Sequence, residues 1–586
     1  MQHAFDHNKF IGYVCEVTPQ YIKVQLPSAK LLHSFYLNGQ IYYGGTVGCY
    51  VTVEGQEYGF LGHLYEMNLP QGEKQEITDK DIHYEDSTFH PIAKVEILGA
   101  FSIYQPTIIT KTVSLSPNIG AKVYSCSNEQ MTSYISSFGI KSDEDKSVYP
   151  IAKIGVLTTN NAPCCISLNS LFGRHCAVLG TTGGGKSWTV AKLIELVSKN
   201  TNNKCILIDA TGEYSSLDNE TIDSIKLGTG EYVFNYRNLT IDDIFYLLRP
   251  SAKVQAPKLM EAIRSLKMIQ IDSKDELNIY YSTNPQTQQI EKFNLQKALK
   301  DKRKYQTFYY QHLGLIEDNH CNFEFQYLAH QITNECIWDT QQGNTNTWGG
   351  RAEVDVANCV SLISRINNII NTSEYNNIFA FKKNTDIQQK DIRTVIDTHL
   401  QKSNGKPILR IDFSEVSFDY QVREILVNAI GKYLLNRARS KDFISSPVIV
   451  FIDEAHQFLN KSISDEYFTA KPLDAFEQIS KEARKYGLFL CIATQMPRDI
   501  PLGTLSQMGT FIVHRLINEQ DKKAVESAAS AANRNCLSYL PVLGEGEALL
   551  VGVDFPMPIT LKIEEPIYKP NSNTPKLKGQ NNIYSA

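Results

Sequence analysis

The chain has 586 residues, of which 42% are hydrophobic, and its 58 lysines and arginines against 63 aspartates and glutamates give a net charge of −5. This composition excludes a wholly disordered chain, a collagen-like repeat and a small disulfide-stapled fold, and the length suffices for more than one core. The near-neutral balance also excludes nucleic-acid binding by bulk charge alone, so any such binding needs a local basic patch.

The cysteines and the apolar runs indicate the compartment. Twelve cysteines are scattered without a C-x-x-C pair, which supports neither a zinc ribbon nor a redox dithiol. No apolar run approaches the ~18 residues of a membrane-spanning helix, and residues 1–6 lack the basic and apolar pattern of a signal peptide. We therefore expect a cytoplasmic protein without a membrane partner, whose cysteines are mostly small core residues in a reducing environment.

Residues 1–150 show the alternation of β-strands. Apolar and polar residues alternate in Ile22–Leu26, Cys49–Val53 and Ile92–Leu98, and turns bearing glycine or proline separate such runs. Short strands of period two with frequent turns predict a small all-β barrel or a sandwich. This region holds no evident catalytic constellation, so we assign it to assembly and partner docking.

From about residue 165 the pattern changes to that of a parallel α/β sheet, in which buried apolar strands are followed by helices. The strand candidates are Cys176–Leu179, Cys205–Ile208, Ile408–Ile411, Val448–Ile452, Phe489–Ala493 and Phe511–Val513. Between about 250 and 400 the chain is rich in Asn, Gln, Lys and Tyr and loses this strand signal, which predicts a mainly helical insertion. The last 25 or so residues are rich in Pro, Asn and Lys and predict an extended tail.

The strongest motif fits G-x-x-x-x-G-K-[ST] and lies between an apolar strand and an amphipathic helix. Its residues are Gly180, Thr181, Thr182, Gly183, Gly184, Gly185, Lys186 and Ser187. The glycines let backbone N–H groups surround phosphates at a helix N-terminus, Lys186 reaches the β- and γ-phosphates, and the Ser187 hydroxyl ligates Mg²⁺. We include Thr189, in the first turn of the helix, among the nucleotide-binding residues.

A second group of residues would hold the metal and activate water. Asp453 and Glu454 end the apolar strand Val448–Ile452, at the carboxyl edge where α/β sheets bind ligands. Asp453 is predicted to orient Mg²⁺, and Glu454 to polarise the attacking water. A strand end that meets solvent is the alternative, and the upstream phosphate loop favours the catalytic interpretation.

Two further residues would complete a hydrolase. Gln495 follows the next strand and could hydrogen-bond the water or the γ-phosphate, while Arg484 ends the preceding helix and could serve as an arginine finger. A strand-end amide and a helix C-terminal cation are the simpler interpretations. Asp209–Tyr214 follows the second strand and adds acids at this edge, with a plain Thr-Gly turn as the open alternative.

Together these motifs resemble the HerA–FtsK group of P-loop ATPases, and specifically the HerA-type hexameric DNA translocases. The resemblance is carried by the loop at 180–187, Asp209–Tyr214, Asp453–His456, Glu482–Gly487 and Ala493–Pro497. Ala93–Leu98 and the strands around it resemble the small barrel that precedes this ATPase domain. Two departures are Asp209-Ala-Thr in place of the usual Asp-Pro-His, and Met496 in place of the more usual Arg.

The resemblance implies an α/β fold with a RecA-like ATPase domain at 151–560, a helical insertion at about 250–400, a β-barrel at 1–150 and a C-terminal tail at 561–586. It also implies a homohexameric ring with ATP and Mg²⁺ at subunit interfaces, DNA in the central pore, and Arg484 acting in trans. Family members work with a separate effector, a nuclease or a Sir2-like NADase. The Asn, Lys and Ile content suggests an AT-rich bacterial gene, and this weakly favours a role in anti-phage defence.

Other interpretations of the same motifs stay open. Asp453–His456 spells a DEAH box, but the chain has one phosphate loop and lacks the second-domain finger motif of such helicases. ABC and GTPase signatures are absent from the sequence. A nucleotide-gated ring scaffold, which activates a partner without moving DNA, would use the same ATP residues. As pore residues of a translocase we name Lys461 and Lys471, which flank a polar loop after Glu454, with a plain solvated loop as the open alternative.

Overall fold

The computed structural model describes residues 5–19, 21–28, 35–37, 40–42, 45–70, 89–110, 116–126, 128–135, 150–159, 161–217, 221–283, 290–382, 388–402, 405–459, 473–529, 537–555 and 557–571. The chain folds into two compact units, one formed by residues 1–203 together with 489–586 and the other by residues 204–488. Within the described ranges, no helix has both the length and the apolar character needed to cross a membrane.

The first unit begins with a closed antiparallel barrel. The strands of this region are β1 (Phe10–Val17), β2 (Ile22–Gln25), β3 (Phe35–Leu37), β4 (Gln40–Tyr42), β5 (Tyr50–Val53), β6 (Tyr58–Asn68), β7 (Ile92–Ser102), β8 (Gln105–Thr110) and β9 (Lys122–Ser125). Six of them pair in the order β2-β1-β9-β5-β6-β7, and β2 also pairs with β7, which closes the barrel. Closure removes the exposed strand edges that an open sandwich would keep. The barrel predicted from the alternating runs is therefore confirmed.

After the barrel, strands and helices alternate along the rest of the chain. The strands are β10 (Ile151–Leu157), β11 (Pro163–Ser167), β12 (Cys176–Leu179), β13 (Lys204–Asp209), β14 (Ile222–Lys226), β15 (Tyr232–Val233), β16 (Tyr281–Thr283), β17 (Ile290–Leu295), β18 (Lys390–Asp391), β19 (Ile408–Asp412), β20 (Val448–Ile452), β21 (Leu488–Thr494), β22 (Thr510–Val513), β23 (Glu547–Gly552) and β24 (Ile559–Ile563). The helices are α1 (Asn128–Ile135), α2 (Leu168–Phe172), α3 (Lys186–Asn200), α4 (Ile241–Leu248), α5 (Gln255–Ile271), α6 (Arg303–Gln311), α7 (Leu313–Ile316), α8 (Leu328–Glu335), α9 (Glu353–Asn371), α10 (Ser373–Phe379), α11 (Ile392–Gln401), α12 (Val422–Arg439), α13 (Ala475–Glu482), α14 (Leu502–Leu505) and α15 (Glu519–Ala528).

The first unit also carries a mixed sheet around β12. Its strands follow the order β11-β10-β24-β23-β22-β12-β21, in which β12 is parallel to both β21 and β22. The pairs from β22 outward to β11 are antiparallel. All four residues of β12 are buried, and α3 follows it with Val190, Leu193, Ile194 and Val197 buried. The sequence predicted β12, β21, β22 and the apolar face of α3, and all are confirmed.

The second unit has a parallel sheet in the order β20-β13-β19-β14. Every residue of β13, β19 and β20 is buried, so these strands appear in the sequence as mainly apolar runs, which Arg410 interrupts in β19. All three strands were predicted. Because parallel strands end at one edge, Asp209, Asp412 and Asp453 lie side by side at the carboxyl ends of β13, β19 and β20.

The region from 250 to 400 is mainly helical, as predicted. Helices α5 to α11 occupy most of it, and α5 packs on α8 and on β17. Its own small core includes Met268, Tyr280 and Phe308. The hairpin β16–β17 also lies in this region. It was not predicted, because the polar residues of Ile290–Leu295 interrupt the apolar ones and leave no continuous run.

Candidate functional site

The phosphate loop connects β12 to α3 in the first unit. Gly183 has a φ of 76° and Gly185 a φ of 106°, a region of the backbone map that glycine enters without steric penalty. A Cβ added to Gly183 would meet no atom of the described residues within 4 Å, so this face of the loop is open toward them. The open face lies at the N-terminus of a 15-residue helix, where N–H groups and the helix dipole attract anions.

The side chains of the loop differ in exposure. Lys186 is the first residue of α3 and is only 5% exposed, whereas Thr182 is exposed and Ser187 is half-buried. Thr181 is fixed from behind, because its N–H and its hydroxyl both donate to the Arg515 carbonyl at 2.9 and 3.1 Å. The loop therefore presents Thr182 and Ser187 outward while its first residues are anchored to the chain after β22.

The structure places Gln495 beside the phosphate loop. Gln495 follows the end of β21, which is parallel to β12 in the same sheet. The Thr182 hydroxyl donates to the Gln495 Oε1 at 2.5 Å. This contact joins two residues that were predicted separately, one for nucleotide binding and one for catalysis. The role of Gln495 toward water or the γ-phosphate stays a prediction.

Asp453 and Glu454 end β20 in the second unit. The Asp453 N–H donates to the Ile208 carbonyl at 3.1 Å, which extends the ladder between β20 and β13. Glu454 is 8% exposed and has φ 45° and ψ 46°, a left-handed conformation that costs a residue with a Cβ about 1–3 kcal/mol. Its Oε2 lies 3.2 Å from His456 Nδ1. Strain of this kind in a buried acid is typical of functional positions.

The Asp209–Tyr214 segment forms a buried turn with its own counter-ion. Asp209 is fully buried, and its carboxylate accepts from the Gly212 and Tyr214 N–H groups at 2.8 and 3.2 Å. Arg410 Nε donates to Asp209 Oδ2 at 2.7 Å, and Arg410 Nη2 donates to Asp412 Oδ2 at 2.9 Å. Both carboxylates at these strand ends thus share one buried guanidinium.

Tyr214 lies among the acids of this edge. Burial first, and then the negative charges of Asp453, Asp209, Glu213 and Glu454, raise the pKa of Tyr214 well above its usual value. The side chain is 1% exposed, and its hydroxyl has no hydrogen-bond partner among the described residues. The Tyr214 hydroxyl therefore lies in a buried and negatively charged part of this sheet edge.

Comparisons with known proteins identify the family. A model of the central domain of helicase HerA matches residues 152–347, and a model of the HerA-like C-terminal domain matches residues 442–574. The two matched segments cover more than half of the chain and have the expected order. The chain belongs to the HerA-type ATPases.

Individual proteins are similar to this HerA-type ATPase over most of its length. A probable helicase of Methanocaldococcus jannaschii is 22% identical over 534 residues, covering 89% of this chain and 86% of that protein. The DNA double-strand break repair helicase HerA of Sulfurisphaera tokodaii is 25% identical over 453 residues, covering 77% and 74%. Among solved structures, the bacterial conjugative coupling protein TrwB has a TM-score of 0.42 at 12% identity, covering 77% of this chain and 94% of that chain.

The residues of this HerA-type ATPase fit a magnesium nucleotide. The open N-terminus of α3 suits a polyphosphate, and Ser187 stands in its first turn. Asp453 and Glu454, at the end of β20, carry carboxylate oxygens, which are the ligands that Mg²⁺ takes from proteins. Within the described residues there is no group of three or more His, Cys, Asp or Glu that could hold a metal ion.

Arg484 and the two pore lysines are the remaining predicted residues. Arg484 lies in the 3₁₀ turn Ala483–Tyr486 after α13, and its side chain is exposed at the surface of the second unit. Exposure is what a finger directed at another subunit needs, and also what a simple surface arginine has. Lys461 and Lys471 lie outside the described residues. The assignments of Arg484 and of both lysines stay predictions.

Two residues that support the site from behind were not predicted, and neither was the position of the Tyr214 hydroxyl within the predicted segment Asp209–Tyr214. Arg410 is one, and the signal was a charged residue in the middle of the apolar strand β19, which indicates a buried ion pair. His514 is another. Its sequence signal was its position directly after β22, since Asp453 and Gln495 also directly follow strands. The Tyr214 hydroxyl could not be recognised, because its surroundings come from separate segments of the chain.

Proposed function

We propose that this HerA-type ATPase is an ATP-driven DNA translocase that works as a homohexamer with a separate effector subunit. The single observation that carries the motor is the phosphate loop, with left-handed Gly183 and Gly185 and a buried Lys186 at the start of α3. Relatives of the chain are named as DNA double-strand break repair helicases, which supports DNA as the polymer that is moved. An effector, a nuclease or a Sir2-like NADase, and a role in anti-phage defence complete the proposal.

Each predicted side chain has a defined task in ATP hydrolysis. Lys186 binds the β- and γ-phosphates, and Glu454 takes the proton of the attacking water. Gln495, which accepts from Thr182, orients that water or the γ-phosphate, and Arg484 of the neighbouring subunit neutralises charge that develops in the transition state. Ser187 and Asp453 would hold Mg²⁺, which when bound neutralises charge on the phosphate oxygens.

Two substitutions separate binding from hydrolysis. Lys186→Ala should abolish ATP turnover and weaken nucleotide binding, because it removes the cation that pairs with the phosphates. Glu454→Gln should bind ATP normally and fail to hydrolyse it, because only water activation is lost. Lys199→Ala, in the last turn of the same helix and 51% exposed in its side chain, is the matched control. A Glu454→Gln protein with wild-type turnover would remove our assignment of the general base.

The response to DNA distinguishes a translocase from the ring scaffold. A translocase should hydrolyse ATP faster with double-stranded DNA, and its DNA affinity should fall steeply with salt while depending little on sequence. Because the chain has a net charge of −5, such binding must come from local basic residues. ATP turnover that DNA leaves unchanged, together with salt-independent DNA binding, would instead support the nucleotide-gated scaffold.

Native mass spectrometry tests the assembly and the effector. The full chain, co-expressed with the products of neighbouring genes, should appear as six copies with additional mass from the effector subunit. A monomer or dimer under conditions that retain ATPase activity would contradict the hexamer.

A further inference from the structure

His514 lies directly behind the phosphate loop. It follows β22, it is fully buried, and its N–H donates to the carbonyl of Leu179, the last residue of β12, at 2.7 Å. A Cβ added to Gly180 would lie 2.6 Å from the His514 Cβ, and one added to Gly184 would lie 3.4 Å from the same atom. The phosphate loop therefore packs against His514 both at Gly180, its first glycine, and at Gly184.

The hydrogen bonds of the ring fix its tautomer. Nδ1 lies 2.8 Å from the carbonyl oxygen of Glu547, which can only accept, so Nδ1 carries the hydrogen. Nε2 is then an acceptor, and it lies 2.8 Å from the Thr189 hydroxyl, which donates to it. Burial, and secondarily the charge of Lys186, lower the pKa of His514 to about 4. The ring is neutral at physiological pH and keeps this arrangement.

These contacts connect three separate parts of the chain. Thr189 belongs to the first turn of α3, three residues after Lys186, and is fully buried. Glu547 begins β23, and the nearby Gly546 N–H donates to the Gly184 carbonyl of the loop at 3.3 Å. The ring of His514 thus joins the start of the phosphate-binding helix to β23, the neighbouring strand of the same sheet.

We propose that His514 is a positioning residue for ATP hydrolysis, which holds the start of α3, and with it Lys186, through the Thr189 hydroxyl. His514 itself contacts no substrate atom, because Thr189 and the phosphate loop lie between its ring and the open face of the loop. A loop held in one conformation before the nucleotide arrives loses less entropy on binding and keeps Lys186 aligned in the transition state. This inference rests on the proposed role of the loop in nucleotide hydrolysis.

Two variants remove the same hydrogen bond from opposite sides. His514→Asn keeps an amide near the position of Nδ1 for Glu547 and loses the acceptor for Thr189, while Thr189→Val removes the hydroxyl at nearly constant volume. Each should lower kcat on the order of tenfold, the effect of one lost hydrogen bond, with KM changed by less than about threefold. The double variant should be no slower than either single one, because both lose one shared contact.

A control and an activity-independent readout complete the test. His175, which accepts from the Leu490 N–H at 3.0 Å and is equally buried in the same unit, serves as control, and His175→Asn should lower stability without lowering kcat. Hydrogen exchange of amides 181–190 should become faster in His514→Asn and Thr189→Val but not in His175→Asn. This readout needs no turnover, so it still tests the inference if the wild-type chain proves unable to hydrolyse ATP. Additive losses of kcat in the double variant, or unchanged exchange in the loop, would overturn the proposal.

Discussion

Replacement of Arg410 by methionine tests whether Asp209 and Asp412 are structural acids. Arg410 is 4% exposed and holds both carboxylates, at 2.7 Å for Asp209 and 2.9 Å for Asp412. The two aspartates are direct neighbours in the pairing of β13 with β19. Methionine preserves most of the buried volume, so the substitution removes the charge and its hydrogen bonds rather than the packing.

The expected cost follows from these contacts. Two charge-assisted hydrogen bonds disappear, and two buried carboxylates are left beside each other without their cation. Removal of one partner from a buried ion pair typically destabilises a protein by about 3–5 kcal/mol, and we expect a loss of that size in the second unit. Adding Asp412→Asn should recover part of it, because one of the two facing charges is then gone.

Fluorescence can follow the second unit alone. The chain has three tryptophans; Trp188 lies in the first unit and Trp338 and Trp348 in the second. In a Trp188→Phe background, urea unfolding monitored by fluorescence therefore reports the unit that contains Arg410, which matters because two units need not unfold in one step. An Arg410→Met protein whose free energy of unfolding falls by less than about 1 kcal/mol would refute the counter-ion role.

Three further predictions concern the site and its titration. Arg484→Ala should leave assembly intact and lower ATP turnover about 10³-fold or more. If the finger acts in trans, mixing Arg484→Ala subunits with subunits of a phosphate-loop lysine variant should restore activity. No recovery in rings that exchange subunits would indicate a role in cis. Tyr214→Phe removes a hydroxyl that has no hydrogen-bond partner among the described residues, so the substitution should not destabilise the fold. If that hydroxyl orients water around the bound Mg²⁺, the substitution should lower ATP turnover about tenfold. Burial lowers the pKa of His63, His399 and His514 to about 4. Below pH 6.5 each of these histidines therefore takes up a proton when the chain unfolds. The stability of the fold is full above pH 6.5 and falls as the pH drops toward 4, by on the order of 1–2 kcal/mol per histidine at pH 5. Thermal unfolding at pH 7.5 and pH 5 checks this, and a midpoint that rises on acidification contradicts it.

Local sequence was sufficient for the elements whose signal is local. The strands β12, β13, β19, β20, β21 and β22 are short and buried on both faces, so they appear as apolar runs whatever their partners are. The glycines of the phosphate loop can also be recognised from the local sequence, because Gly183 and Gly185 adopt backbone conformations that other residues avoid. The barrel was predicted as a barrel or sandwich, and only the pairing of β2 with β7, about 70 residues apart, decides between them.

Long-range contacts could not be predicted, and they decide what each strand-end residue does. The rule that ligands bind at the carboxyl ends of parallel strands selects Asp209, Asp412, Asp453 and Gln495 alike. Asp209 and Asp412 differ from the others because Arg410 neutralises both, and Arg410 is 201 residues from Asp209 in the chain. No spacing in the sequence shows that pairing, so the choice between an acid and a plain turn at Asp209 had to stay open.

Glu454, for which we predict the activation of water, shows the opposite situation, because its own backbone is strained. A glutamate at φ 45° is strained, and glycine would occupy the same position without that cost. The buried end of β20 nevertheless carries a carboxylate there, next to Asp453 and within 3.2 Å of His456. A side chain held at an energetic cost is accounted for if its carboxylate is needed at that point, as the activation of water requires. Asp209 accepts hydrogen bonds within its own turn, whereas the backbone of Glu454 is strained, and this contrast agrees with the prediction that Glu454 activates water.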